Sequence, residues 1–485
     1  MNRKDFPENI QDLQNYKIAQ FALARRYEDI GEKNIDQLKR HLLGGLGSFI
    51  HAMTKPAIHK LVRQIEVIGE GGKCKAPMTR DLPYDRAAQL YTALVRYPDF
   101  MDNFLGKEAT CHPSDNIGPL LAASQYKPTT GKEFLAAMAI AYQIQCRLVQ
   151  EIPVMIEGID HTLLLGYSMT ASLSRLLGLS NEQAAHALGI TGTSISPMVT
   201  SRASYTYEWK GFASSFDALN CVGITLLAKE GLTGPVAIFE GPKGFKDVFD
   251  MKLDYDWNRE TFELIGKCVL KKYNVEVHAQ PALEAIDELR KTHNINPTDI
   301  EEVEITTFLT AYHIIGSGAY GDRQIVETKE QADHSLFYAA AVLLLDGEIY
   351  PEQYEPGRIN RPDVQQLLRK VKIGTGFPLH EPVKVAGILD PYTLAYPDKV
   401  RAKVGITLRT GETLNCEKED YHGFFTRPFS WTDTINKFKR LSAEVLTNDE
   451  TEQLIDTVTH LESAKDMSAL INMLALPAHK AEGVS

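Results

Sequence analysis

Residues Asp36–Met53 read DQLKRHLLGGLGSFIHAM, and their spacing decides the fold. Leu38, Leu42, Leu46 and Phe49 recur at helical intervals on one face, while Gly44, Gly45 and Gly47 leave room for close helix approach. Tyr84–Val95 and Lys132–Val149 repeat that amphipathic spacing. His161–Leu177 mixes apolar residues with Gly166, Ser168, Ala171 and Ser172, as an internal helix would. Ser180 with Gln183 forms an N-cap signature for the next helix. Phe216–Lys229 is a further helix, closed by Gly231. From about Ile10 to Leu264 the pattern is helical almost throughout.

The pattern changes after Lys267. Glu301–Leu309 (EEVEITTFL) and Val400–Leu408 (VRAKVGITL) alternate like half-buried strands, the second followed by a turn at Arg409–Glu412. Helices are expected between them at Ala282–His293, Gln331–Leu345 and Pro362–Lys370. From Trp431 onward helical spacing returns, over TDTINKFKRL and then Asp449–His460. The expected architecture is mainly α: a large helical domain formed by residues 1–267 and 421–485, carrying a smaller α+β domain inserted at 268–420.

A chain of 485 residues is too long for one core, which agrees with two domains. A formal net charge of −11 argues against non-specific nucleic-acid binding, though a locally basic cleft can still take a small anion. Cys74, Cys111, Cys146, Cys221, Cys268 and Cys416 stand singly, so neither a zinc ribbon nor a closely ligated iron–sulfur cluster is expected. No apolar run is long enough to span a bilayer, and the first residues carry no apolar leader. The expected setting is cytoplasmic, with reduced thiols.

The polar centre of the sequence is Asp99–Asn116, DFMDNFLGKEATCHPSDN. It gathers Asp99, Asp102, Asn103, Glu108, His112, Asp115 and Asn116 where apolar spacing has broken down. Pro113 disfavours helical geometry at His112. The bland reading is a helix end followed by a turn at Pro113–Asn116. Other polar groups in awkward places are Asp160-His161 before a helix, Ser201-Arg202, Lys210 before the Phe216 helix, Lys271-Lys272-Tyr273 with Glu276 and His278, and Asp333-His334 with Tyr338. A structural cap, a solvated lysine and a core tyrosine with a satisfied hydroxyl are the ordinary alternatives. No Walker or GxGxxG spacing supports a nucleotide site.

Five blocks in order, CHPSDNIGPLLAA (111–123), Asp160-His161, Trp209-Lys210-Gly211, VEVHAQ (275–280) and DHSLFYAAAVLLLDG (333–347), resemble the MmgE/PrpD family over nearly the whole chain. The resemblance implies a helical domain with an α+β lid, usually paired as a homodimer, the active site between domains and no metal or other cofactor. It implies a hydro-lyase that removes water from 2-methylcitrate in propionate breakdown. Citrate is a further expected substrate, and cis-aconitate decarboxylases, which are among the relatives, give the alternative activity, together with other aconitate-type lyases or isomerases of the family. Carried over by position, the catalytic set is Asp99, His112, His161, Lys210 and Tyr338. Substrate contacts fall on Asn103 (where the family often has threonine) and a lid lysine at Lys271 or Lys272. The lid motif departs too, with Tyr273-Asn274 where Tyr/Phe-Pro is usual.

Such a reaction removes a weakly acidic C–H proton and expels a tertiary hydroxide. Without a metal it needs a general base, a general acid and fixed positive charge on the carboxylates. His112 and His161 suit the proton transfers, Asp99 can orient or polarise a histidine, and Lys210, the lid lysine and Arg202 suit the carboxylates. Tyr338 suits the leaving hydroxyl. Asp160 is expected to set the tautomer of His161, and Asp115 and Asn116 to offer polar groups to a hydroxylated substrate. A rival of another class is a metal-dependent hydrolase using Asp99, Asp102, His112 and Asp115.

Overall fold

The Asp36–Met53 periodicity becomes a buried helix, Glu32–Ala52, in a chain that is mainly helical with one small mixed sheet. A computed structural model describes residues 9–68, 71–106, 109–203, 205–249, 251, 255–380 and 383–481; Glu108 lies outside them. Among the described residues no helix is long and apolar enough to cross a membrane.

The described residues divide into two compact units. The first comprises Met1–Val199, Gly211–Cys268 and Ser430–Ser485, and the second comprises Thr200–Lys210 and Val269–Phe429. Allotting Thr200–Lys210 to the second unit differs from the sequence expectation, and so does its end at Phe429 rather than residue 420. The segment is bonded there: Thr206 Oγ1 donates to the Glu330 carbonyl (2.8 Å) and Arg323 Nη2 to the Arg202 carbonyl (3.1 Å). Such bonds join residues far apart in sequence, so no local pattern announces them.

In the first unit Gly45 and Gly47 of Glu32–Ala52 allow the close approach expected of them, a Cβ on Gly45 lying 3.0 Å from Ile117. A Cβ on Gly47 would sit 3.3 Å from Leu441 and 3.4 Å from Phe438 of helix Trp431–Ser442. Trp431 Nε1 donates to Asp36 Oδ1 at 2.7 Å, so both ends of the chain share this core. Helix Tyr84–Arg96 packs on Ile117–Ala123 and on Ala213–Lys229. At Gly118 a Cβ would lie 2.5 Å from the Thr92 backbone nitrogen, so only glycine permits that approach. Ser180 and Gln183 form the capping box read from sequence.

The Asp99–Asn116 stretch folds into a short ribbon. Strand β1 (Phe104–Leu105) pairs antiparallel with β2 (Thr110–Cys111), Phe104 opposite Cys111, and a 3-10 turn follows at Pro113–Asn116. That register places Asn103 beside His112.

The second unit holds a four-stranded sheet of β3 (Ile300–Thr307), β4 (Val371–Thr375), β5 (Ala402–Leu408) and β6 (Thr413–Lys418), in the order β4-β3-β5-β6. β3 runs parallel to β4, while β3–β5 and β5–β6 are antiparallel. Sequence reading found β3 and β5 but not β4 or β6. β4 is a short strand with a single buried residue, and β6 (TLNCEK) carries too few apolar residues to alternate clearly. The single helix expected over Gln331–Leu345 is two, Lys329–Ala332 and Leu336–Asp346, interrupted at Asp333–Ser335.

Candidate active site

In the first unit, Asp99, Asn103, His112 and His161 are buried and lie in or beside the ribbon. Asp99 adopts φ 55°, an uncommon backbone state outside glycine that stores about 1–3 kcal/mol of strain. Arg96, the last residue of helix Tyr84–Arg96, holds it there. Its Nη1 lies 3.0 Å from Asp99 Oδ1, and its carbonyl accepts the Asp99 N–H at 3.1 Å. Arg96 Nε stands 3.7 Å from Asp115 Oδ2. The guanidinium therefore supplies positive charge to both carboxylates from within the chain.

Asp102 anchors the loop. Oδ2 accepts from Tyr142 (2.7 Å) and contacts His41 Nδ1 (2.7 Å), while Oδ1 accepts the Ser114 N–H (2.9 Å). Burial alone would raise this carboxyl, but His41, Ser114 and Tyr142 outweigh it and hold the pKa below the usual value. Lys437 donates to the Phe100 carbonyl at 2.7 Å, a second clamp beside Asp99. These bonds leave the metal-hydrolase set poorly suited to a cation. Asp102 is committed to His41, Tyr142 and Ser114, and Asp99 and Asp115 already face Arg96.

His112 Nδ1 lies 3.0 Å from Asn103 Nδ2 and 3.2 Å from the Asp102 carbonyl. Its ring meets that of His161 edge-on, centroids 5.5 Å apart. Two imidazoles at this distance can act on neighbouring atoms of one small molecule. Asp160 does not set the His161 tautomer as expected. Its Oδ1 accepts the Thr162 N–H at 3.0 Å, capping helix Thr162–Leu177, and stands 3.8 Å from His161 Nε2, beyond hydrogen-bond length. Asn116 is likewise no substrate group. Its amide donates to the Pro113 carbonyl and Gln145, and its oxygen accepts from Ser168.

In the second unit, Lys210 is 3% exposed, which removes the solvated-lysine alternative. Its Nζ lies 2.8 Å from His334 Nδ1 and 3.4 Å from Asp333 Oδ1. Asp333 also meets Lys329 (2.8 Å) and His334 (2.7 Å). Although burial opposes ionisation, Lys210, Lys329 and His334 hold the Asp333 carboxyl far below its ordinary range. Lys271 is fully buried, whereas Lys272 is partly exposed, pairs with Asp287 at 3.4 Å and lies over the Tyr273 ring. Arg202 is nearly buried, its carbonyl held by Arg323.

Tyr338 is fully buried in helix Leu336–Asp346 and its hydroxyl donates to the Gln353 carbonyl. That is the arrangement the core-tyrosine alternative calls for, a satisfied hydroxyl in a packed helix. His278, grouped in the sequence with Lys271 and Glu276 but given no role there, is an oriented imidazole. His278 Nδ1 lies 2.8 Å from Glu276 Oε1, and its Nε2 lies 3.2 Å from the Tyr396 hydroxyl. Glu276 Oε2 accepts the His278 N–H at 2.9 Å, so the Glu-x-His spacing was its signal.

Two family models match the chain. The MmgE/PrpD N-terminal domain covers residues 16–258 and the C-terminal domain covers 273–376. The chain belongs to the MmgE/PrpD family. Among its relatives, 2-methylcitrate dehydratase of Escherichia coli (strain K12) is 28% identical over 82% of this chain and 84% of that protein. Cis-aconitate decarboxylase of Mus musculus is 25% identical over 92% of this chain and 90% of that protein. That of Homo sapiens is 24% identical over 92% and 91%. Proteins named 2-methylcitrate dehydratase and cis-aconitate decarboxylase are thus both similar to this chain.

Proposed function

We propose that the protein is a lyase that eliminates water from 2-methylcitrate to give 2-methyl-cis-aconitate. The paired His112 and His161 rings are the observation that carries this reading. Elimination needs a base at one carbon and an acid at the hydroxyl of the next, and two imidazoles in edge contact can serve adjacent atoms. Asp99, fixed by Arg96, supplies negative charge that stabilises an imidazolium. Lys210 and Lys271 supply buried positive charge for carboxylates, and Arg202 is a third cation for the same task. In the proposed cycle, substrate carboxylate competes with Asp333 for Lys210.

The dehydratase names among the relatives support the choice of substrate over the decarboxylase alternative. The reading extends to a cytoplasmic homodimer serving propionate breakdown and to chemistry that uses no metal. Purified protein, chelated exhaustively, is to be incubated with 2-methylcitrate, citrate and cis-aconitate, and the products separated. Formation of the unsaturated tricarboxylate from 2-methylcitrate supports the proposal. Activity restored only by a divalent metal speaks for the hydrolase-like site.

A further inference from the structure

The Asn103–His112 contact says more than proximity. His112 Nδ1 faces Asn103 Nδ2 at 3.0 Å and the Asp102 carbonyl oxygen at 3.2 Å. A carbonyl oxygen only accepts, so the second contact is attractive only when Nδ1 carries hydrogen. A side-chain amide, by contrast, can present either its oxygen or its N–H. Half a turn about its last bond exchanges the two with almost no change of shape. Asn103 is 1% exposed and its Oδ1 has no hydrogen-bond partner, so the exchange gives up no bond. With hydrogen on Nδ1 and Oδ1 turned toward it, both contacts are attractive. With Nδ2–H donating to a bare Nδ1, the Asp102 carbonyl opposes a nitrogen lone pair.

We propose that Asn103 is a positioning residue which, together with the Asp102 carbonyl, keeps the hydrogen of neutral His112 on Nδ1 and leaves the lone pair on Nε2. This rests on the proposed elimination for its consequence, which is that His112 is the base and His161 the acid. His112 Nε2 takes the proton from carbon, and the C–H electron pair becomes the new double bond. The C–O bond breaks as His161 gives a proton to the departing hydroxyl, so water leaves. His112 ends as imidazolium with Nδ1–H still bonded, and His161 ends neutral.

The test reads the tautomer directly. Full-length protein labelled with 15N-histidine is examined by long-range 1H–15N correlation at mildly alkaline pH, where a neutral ring is observed. The His112→Gln variant identifies the His112 signals. The expected pattern is a protonated-type Nδ1 and an unprotonated-type Nε2. Asn103→Leu should shift the signals toward the Nε2–H form, and Asn103→Asp, which keeps an acceptor oxygen, should restore the wild-type pattern. A wild-type ring with hydrogen on Nε2 overturns the proposal, as does an Asn103→Leu spectrum unchanged from wild type. Should Asn103→Leu fail to fold, the wild-type and Asn103→Asp spectra decide. None of these spectra needs turnover, so failure to dehydrate 2-methylcitrate would remove the functional reading while the tautomer result stood.

Discussion

Arg96 Nη1 stands 3.0 Å from Asp99 Oδ1, with both side chains almost fully buried. Water screens this pair little, and removing one partner strands the other. Replacing Arg96 with Met is expected to cost about 3–5 kcal/mol, the usual range for breaking a buried ion pair. Asp115 shares the same guanidinium, so the loss should lie toward the upper end. Denaturant unfolding measures it; a change under 1 kcal/mol would mean that Arg96 does not hold the loop.

Asp102 gives stability a pH dependence. Its folded pKa is depressed, so its contribution is complete above the unfolded carboxyl value and disappears as pH falls through the folded one. Asp102→Asn should therefore be clearly less stable than wild type at neutral pH. The gap should narrow below about pH 4, where the unfolded carboxyl takes its proton. Melts of both proteins across that range check the sign. A gap that widens toward acid would show a raised carboxyl instead.

The lysine pair is separated by burial. Lys272 lies partly exposed beside Asp287, and Lys271 is enclosed. Lys272→Ala should leave kcat/KM within a few-fold, because a partly exposed ion pair contributes little. Lys271→Ala should raise KM strongly and lower kcat. Equal, negligible effects of the two would take this segment out of substrate binding.

His112 and Tyr338 give a contrasting pair. His112→Gln is expected to lower kcat by roughly 10²–10⁴-fold with little change in melting temperature, as loss of a proton-transfer group does. The same range applies to His161→Gln. Tyr338→Phe should keep kcat within a few-fold and lose about 1 kcal/mol of stability, since it leaves the Gln353 carbonyl without its hydroxyl donor. A large kcat loss in Tyr338→Phe at unchanged stability would place that residue in the reaction.

Much of the helical unit could be read from the sequence because its signals are local. The Leu38–Phe49 face, the Ser180 cap and the turn at Pro113 each follow from residues within a few positions. The ribbon's polar character was visible for the same reason. What holds the ribbon was not, because His41, Tyr142 and Lys437 reach it from 61, 40 and 337 residues away. The roles of Asp160 and Asn116 were misread on the same ground. Residue type and position showed polarity, but only the fold showed that a helix terminus and a Gln145–Ser168 pair had already used it. Lys271 and Lys272 looked alike as neighbours, and burial alone separated them.

Dehydration rather than decarboxylation at the His112–His161 pair is decided by a single two-substrate assay. Purified wild-type protein is given 2-methylcitrate in one cell and cis-aconitate in another. Ultraviolet absorbance of the conjugated acid is followed in the first and released carbon dioxide in the second. The predicted result is a rise in absorbance from 2-methylcitrate, lost in both His112→Gln and His161→Gln, with no carbon dioxide from cis-aconitate. Carbon dioxide from cis-aconitate with no turnover of 2-methylcitrate would contradict the claim.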